Sequence, residues 1–224
     1  MSGFKLSKND TKQISSAVQK AESKTSGEIA TAMIKESYDY AIYELMFAIV
    51  IGFVYFVVMM FFAGSIEQYL QGKFWDYSVN YLIMFYGFST FVVITIFYFI
   101  GNISSIDRLI VPRKIRLQKV QERATRYFME SGVYNTKDRT GILIFISIME
   151  HRVELLADSG INQKIPKEKW QSIVDNILAG IKQKQIAKHL VESIDECGNL
   201  LAEHFPIQAD DKNELADEIN ILEK

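Results

Sequence analysis

The chain has 224 residues, 49% of them hydrophobic, and a formal net charge of -2 at pH 7. That length allows one domain with a sizeable core or two small ones, and the near-neutral charge excludes a strongly basic reader of nucleic acids. The single cysteine, Cys197, excludes an internal disulfide and a cysteine-based zinc cage, which fits a reducing compartment.

The N-terminal segment predicts a helix followed by a short strand. Ser7 is a typical N-cap, and Asp10 follows three residues later as in a capping box. Apolar residues then recur at helical spacing, namely Ile14, Ala17, Val18 and Ala21. Residues 28–34 predict a strand. One helix and one strand cannot bury a core alone, so their partners must come later in the chain.

Two long stretches without Asp, Glu, Lys or Arg follow, at residues 45–66 and 77–106. Apolar residues cover every helical face, and each stretch reaches the roughly 20 residues that span a bilayer. Two such helices would overfill a soluble fold of this size. We therefore predict transmembrane helices at residues 43–66 and 79–101. Residues 67–78 between them are predicted to form a short interfacial loop, with aromatic side chains at headgroup level.

Basic residues near the ends of the spans predict their orientation in the membrane. The connecting loop has only Lys73, whereas five basic residues follow the second span. These are Arg108, Arg113, Lys114, Arg116 and Lys119. We therefore expect both termini in the cytoplasm, with the basic segment beside the anionic headgroups of the inner leaflet.

After the second span the pattern of a soluble domain resumes. Pro112 begins a predicted helix that Gly132 ends. Residues 141–148 form a continuous apolar run, which is typical of a central strand covered on both faces. The remaining predicted elements are a strand at residues 153–157, which completes a hairpin, and helices at residues 167–181 and 186–204.

The last segment, residues 207–224, is acidic, with six Asp and Glu residues against two lysines. Its apolar residues Leu215, Ile219 and Leu222 are spaced to share one helical face. This spacing predicts a short amphipathic helix that docks on the domain or on a partner.

The order of these elements predicts the fold class. The two spans return the chain to the side of the membrane that it left, so residues 1–40 and 107–206 can join in one domain. We predict an α/β fold, in which a small layered domain packs helices on a short mixed sheet. A two-helix transmembrane hairpin interrupts this domain after its first strand.

Residues 136–161, TKDRTGILIFISIMEHRVELLADSGI, resemble the core of the TPM domain family. The shared pattern is a loop with an acidic residue and a glycine, an apolar strand, a tight turn, and a basic-apolar strand that ends near a glycine. Further similar segments lie at residues 21–37, 120–133 and 192–206. The resemblance points to a bacterial membrane-bound branch with two spans inside the domain, which implies the bacterial cytoplasmic (inner) membrane.

The resemblance implies a TPM-like fold and a modest range of functions. Members of the family are associated with acid phosphatase activity, photosystem repair, modulation of an acetylcholine receptor and binding of divalent cations. Many TPM domains are exported and anchored by a terminal helix, whereas the charge asymmetry of this chain predicts a cytoplasmic domain. The resemblance also matches Asp138 to the acidic position that precedes the apolar strand.

Two carboxylates at strand ends are the best chemical candidates. Asp138 precedes the apolar strand and Asp158 follows the second strand of the hairpin, so both are expected at one edge of the sheet. Ca²⁺ or Mg²⁺ would need further oxygen ligands there. The first strand would supply Glu28 if it runs parallel to its neighbour, or Glu36 if antiparallel. The alternative interpretation makes Asp138 a turn former that pairs with Arg139.

The sequence has no Gly-rich phosphate loop, no histidine pair at ligand spacing and no nucleophile elbow. Three functions from different classes remain. The first is an adaptor or accessory factor for membrane protein complexes, which we favour. The second is a divalent-metal-dependent acid phosphatase, and the third is a small subunit whose spans pack into a larger complex. Expected partners are the lipid bilayer and proteins in the membrane or cytoplasm, including a second copy of the chain, but no nucleic acid.

Overall fold

The computed structural model describes residues 6–208 and 213–223. Its helices are α1 (Lys8–Glu22), α2 (Ala41–Met60), α3 (Ala63–Lys73), α4 (Val79–Gly101), α5 (Ser104–Ile110), α6 (Arg113–Glu130), α7 (Ser159–Lys164), α8 (Gln171–Gln183) and α9 (Ile186–His204). Its strands are β1 (Glu28–Ile34), β2 (Gly141–Ser147), β3 (Arg152–Ala157) and β4 (Asn220–Leu222). Short 3-10 turns lie at Val133–Asn135 and Lys167–Trp170.

The chain divides into two compact units. The sheet unit consists of Met1–Tyr38 together with Lys114–Lys224, and the hairpin unit consists of Asp39–Arg113. The acidic tail belongs to the sheet unit. Because the sheet unit is assembled from segments on both sides of the hairpin unit, its strands come from distant parts of the sequence.

The sheet has four strands in the order β3-β2-β1-β4. β1 runs parallel to β2, with Glu28 opposite Gly141 and Ile34 opposite Ser147. β2 and β3 form the antiparallel hairpin that the sequence predicts, and β4 pairs parallel with β1. The predicted α/β class with a short mixed sheet is confirmed.

Helices cover both faces of this sheet. One face packs against α1, α8 and α9, and the other packs against α6. Alternate side chains of β2 enter the two apolar clusters, so that Ile144 faces one and Phe145 the other, and both are fully buried. The prediction of a central strand covered on both faces is therefore confirmed.

The start of α1 has the predicted capping box. The Asp10 backbone N–H donates to Ser7 Oγ at 3.1 Å, and the Ser7 backbone N–H donates to Asp10 Oδ2 at 2.8 Å. The four apolar residues at helical spacing are all buried. α1 packs tightly on α9, because a Cβ at Gly198 would lie only 2.5 Å from the Cβ of Ala21.

The hairpin unit contains two helices long and apolar enough to cross a membrane, α2 and α4. Their large side chains are mostly exposed on the protein itself, as with Phe53 (66% exposed) and Phe88 (72%). A Cβ at Gly52 would overlap the side chain of Ile94, so this glycine allows close packing of the two helices. α4 has the bounds predicted for the second span, whereas α2 ends at Met60, before the predicted end of the first.

The segment between α2 and α4 is not the predicted loop over residues 67–78. α3 occupies its first part, and Leu70 on this helix is buried. Lys73 Nζ lies 5.8 Å from the ring centroid of Tyr69, one helical turn earlier. The helical spacing of Ile66, Tyr69 and Leu70 indicates this helix. The loop prediction is wrong because it treats aromatic residues such as Tyr69 only as membrane-interface residues, whereas Tyr69 lies in a helix.

The tail over residues 207–224 is not the predicted amphipathic helix in the part that the structure describes. β4 pairs with the last three residues of β1. Leu215 and Leu222 pack on the α6 side of the sheet, whereas Ile219 is buried in the cluster on the α1 side. The helix prediction is wrong because these three side chains divide between the two faces of the sheet instead of sharing one helical face.

Candidate functional site

The loops that carry Asp138 and Asp158 lie against each other at one edge of the sheet. The Gly160 backbone N–H donates to the carbonyl oxygen of Arg139 at 3.1 Å. A Cβ at Gly160 would come within 2.6 Å of that oxygen and 3.1 Å of the Asp138 carbonyl oxygen. Only glycine fits this approach without displacing the backbone, so Gly160 sets the spacing of the two loops.

The two carboxylates nevertheless have different surroundings. Asp158 is 7% exposed and caps α7, and its Oδ1 accepts hydrogen bonds from the backbone N–H and the hydroxyl of Ser159 at 2.5 and 3.1 Å. Its Oδ2 lies 3.9 Å from Arg139 Nη1. Asp138 is exposed. The arginine that the alternative interpretation pairs with Asp138 is thus an ion-pair partner of Asp158.

The parallel pairing of β1 and β2 decides between Glu28 and Glu36. Glu28 lies beside Gly141, at the edge of Asp138 and Asp158, and Glu36 follows the opposite end of β1. The Glu28 carboxylate is 6% exposed and accepts hydrogen bonds from the backbone N–H groups of Glu214 and Leu215 at 3.2 Å each. Glu28 therefore anchors the tail.

A further carboxylate, Glu22 at the end of α1, lies near Glu28. Its Oε1 accepts a hydrogen bond from the Ile29 backbone N–H at 2.9 Å. Burial, together with repulsion by Glu28 and Asp217, raises the pKa of Glu22 from 4.5 to about 8 against the lowering effect of the Ile29 bond. Glu22 is therefore neutral at pH 7. Sequence reasoning missed it because the tail that brings Asp217 to this edge had been predicted as a helix.

The edge is acidic, but its carboxylates do not form a preassembled metal cage. Over residues 6–208 and 213–223, no group of three or more His, Cys, Asp or Glu side chains is placed to hold a metal ion. The structure thus brings together the loops of Asp138 and Asp158, and it places Glu28 at the same edge with the tail as its partner. The divalent-cation site stays a prediction.

The opposite edge, at the carboxyl ends of β1 and β2, holds a buried polar network. Ser147 Oγ donates a hydrogen bond to the Glu150 carboxylate, and the Ser37 backbone N–H donates to Glu150 Oε1 at 2.9 Å. The hydroxyls of Ser37 and Ser147 are 2.8 Å apart. Carboxyl ends of parallel strands are common ligand sites in α/β folds. Here the network joins the turns after two strands that lie far apart in the sequence, which is why no local motif indicated it.

The sequence after α4 matches a known domain family. A family model described as the TPM domain matches residues 107–200. Residues 107–200 of the chain belong to a TPM domain. The NMR structure of the BA42 protein from the psychrophilic bacterium Bizionia argentinensis is similar in fold, with a TM-score of 0.58 and 20% sequence identity over 97% of this chain and 95% of that chain. No curated protein matches the sequence.

The match contains only part of the sheet. Residues 107–200 include α6, β2, β3, α7, α8 and most of α9, whereas α1, β1 and β4 lie outside it. Those three elements complete the sheet unit around the matched residues, because β1 is the inner strand that joins β2 to β4. The segment before the hairpin unit is therefore part of the sheet unit.

Proposed function

We propose that this chain is an integral membrane protein of the bacterial cytoplasmic membrane, with both termini and the TPM domain in the cytoplasm. The proposal is supported by the two long apolar helices with exposed side chains in the hairpin unit. It is also supported by the charge asymmetry, since five basic residues follow α4 and only Lys73 lies between the spans.

The topology is tested with reporter fusions at both termini and in the connecting segment near Gly72. We expect cytoplasmic reporter activity at the termini and an external signal at Gly72. A fusion within α4, after residue 90, is the intramembrane control. It should give both a reduced cytoplasmic signal and a reduced external signal. A cytoplasmic signal at Gly72 would contradict the proposed orientation.

Within this topology, we propose that the TPM domain acts as an adaptor or accessory factor for membrane protein complexes. The observation that carries this function is that the best-placed carboxylates of the domain make structural hydrogen bonds within the fold. Asp158 caps a helix, Glu28 anchors the tail, and Glu150 joins two turns. Each of these groups supports the scaffold, and a rigid scaffold beside a membrane anchor suits docking.

Site-specific photo-crosslinking in native membranes tests this function against the small-subunit alternative. The exposed residues Met129 on α6 and Phe88 on α4 are replaced, one at a time, by a photoreactive amino acid. An adaptor gives a discrete protein crosslink from position 129. A small membrane subunit gives one only from position 88. Exposed Lys167 provides a second position on the sheet unit, so that the absence of a crosslink from position 129 alone does not decide the result.

A divalent-metal-dependent phosphatase is the second candidate, favoured by one observation. Asp158 Oδ2 is buried and accepts no hydrogen bond from the residues that the structure describes, and its loop adjoins Asp138. If a cation bridges the two carboxylates, saturating Ca²⁺ or Mg²⁺ should raise the melting temperature of the protein, because it binds only the folded state. Asp138→Asn should abolish that rise. The control Glu154→Asn, which removes a carboxylate on β3, should not.

Phosphate-ester turnover is measured on the same samples. The phosphatase requires metal-dependent turnover that Asp138→Asn removes. A metal-dependent rise in melting temperature with background turnover would make the cation structural, and it would leave the adaptor as the function of the domain.

A further inference from the structure

The outer edge of β1 is occupied by a peptide-like segment. β4 contributes only three residues, Asn220–Leu222, which pair parallel with Ala32–Ile34. Strands usually have about five or six residues, so this pairing alone gives little stability. The segment from Asn213 to Glu223 therefore depends on contacts made by its flanking residues.

Those contacts have the form of peptide recognition. Buried Glu28 accepts the backbone N–H groups of Glu214 and Leu215, and the Lys137 backbone N–H donates to the Glu214 carboxylate at 3.0 Å. Gln19 Nε2 donates to Asp217 Oδ2 at 2.7 Å. The pairing of β4 with β1 adds main-chain hydrogen bonds, which give affinity when an extended peptide adds a strand to a sheet.

Apolar side chains of the segment supply the specificity. Leu215 and Leu222 enter the cluster that contains Phe145, and Ile219 enters the cluster on the other face. Ile221, between them, is 61% exposed. Alternate side chains in pockets on the two faces are what a receptor edge selects in a bound strand.

We propose that the outer edge of β1 is a peptide-binding site with the chain's own tail as its resident ligand, and that in a pair of copies the tail of one chain occupies the edge of the other. A vacated edge takes two donors from the Glu28 carboxylate and leaves the outward backbone groups of Ala32–Ile34 without their β4 partner, which is costly for buried polar groups. The segment that restores every one of these contacts is the same segment of a second copy. This inference is independent of the proposed adaptor function.

The first test removes the resident ligand. A chain that ends at residue 208 is purified in the same detergent as the full chain, and a fluorescent peptide with the sequence of residues 213–223 is titrated into both. We expect the peptide to bind the shortened chain at least about tenfold more tightly than the full chain, in which the tail competes. Glu28→Gln in the shortened chain should weaken binding by about tenfold, and the distant Glu154→Gln should not.

If the shortened chain does not fold, the full chain with Leu222→Asp replaces it. That substitution places a charge against an apolar cluster and weakens the resident tail without removing any residue. Peptide binding to this variant supports the proposal. A folded shortened chain, or a folded Leu222→Asp chain, that binds the peptide no better than the full chain overturns it, as does equal binding of a scrambled peptide.

The second test addresses the second copy. A tagged full chain is reconstituted with an untagged full chain, so that each tail can occupy the edge of the other copy, and the tag is used for purification. Exchange predicts that the untagged full chain is retained and that excess free peptide releases it. Equal retention of an untagged chain that ends at residue 208 would place the contact elsewhere and overturn the exchange, as would failure to retain the untagged full chain.

Discussion

Replacing Gly141 by alanine is expected to lower the free energy of unfolding of the sheet unit by about 3 kcal/mol or more. A Cβ at this position would overlap the carbonyl oxygen of Val133, which belongs to a buried 3-10 turn. The carbonyl is part of the backbone and the position of a Cβ is fixed by the backbone, so neither can rotate away. The first residue of β2 would have to leave its position opposite Glu28, and the backbone N–H of Asp158 would lose the Gly141 carbonyl, 2.9 Å away.

Denaturant unfolding followed by the fluorescence of Trp170 measures this effect, because Trp170 is buried in the sheet unit whereas Trp75 is fully exposed in the hairpin unit. The matched control is Gly27→Ala, just before β1. A Cβ there would meet the end of the flexible Leu201 side chain at 3.0 Å, so we expect a loss of about 1 kcal/mol. Equal losses in the two variants would contradict the backbone explanation.

The sheet unit is expected to lose about 2 kcal/mol of stability as the pH rises from 6 to 9, through ionisation of Glu22. Burial raises the pKa of Glu22 in the folded protein to about 8, above the ordinary value of 4.5. Its stabilising contribution is therefore complete below pH 4.5 and is lost as the pH rises through 8. The expected loss is smaller than the full shift implies, because the carboxyl is only partly buried.

Glu22→Gln isolates this contribution. The amide can keep the acceptor for the Ile29 N–H and cannot ionise beside Glu28 and Asp217. We expect its stability, measured by Trp170 fluorescence, to be nearly constant between pH 6 and 9. Glu130→Gln, at an exposed position at the end of α6, should retain the slope of the unmodified protein. A slope that survives Glu22→Gln would assign the pH dependence to other groups.

Local patterns in the sequence predict several elements of this fold closely. The apolar run at Glu28–Ile34 and the charge-free run at Val79–Gly101 have the predicted bounds, as does the amphipathic helix Ile186–His204. In each case the pattern of apolar residues favours the same type of element, strand or helix, that the structure contains. β4 is different, because only three residues of a polar tail form the strand, and their partner lies at the other end of the chain. Nothing local distinguishes such a strand from a short amphipathic helix.

The same distinction holds for the candidate site. The hairpin topology predicts that the loops of Asp138 and Asp158 lie together, because a hairpin returns the chain to its starting edge. The role of Glu28 depends on the tail, and the network of Ser37, Ser147 and Glu150 depends on the parallel pairing of β1 with β2. The bonds of Glu28 with the tail and of Ser37 with Ser147 and Glu150 join residues more than a hundred positions apart, so spacing in the sequence carries no signal for them.

The hairpin unit separates β1 from β2 in the sequence, although these two strands are neighbours in the sheet. This order has a consequence for biosynthesis. β1 leaves the ribosome long before β2, and its inner edge stays unpaired until residue 147 has been made. In the proposed topology, β1 and β2 cannot meet when only one membrane helix inserts, since a single crossing would leave the strands in different compartments. A nascent chain with one misinserted span would display an open sheet edge to proteases. In that topology, the assembly of the sheet therefore fails when a single membrane helix inserts.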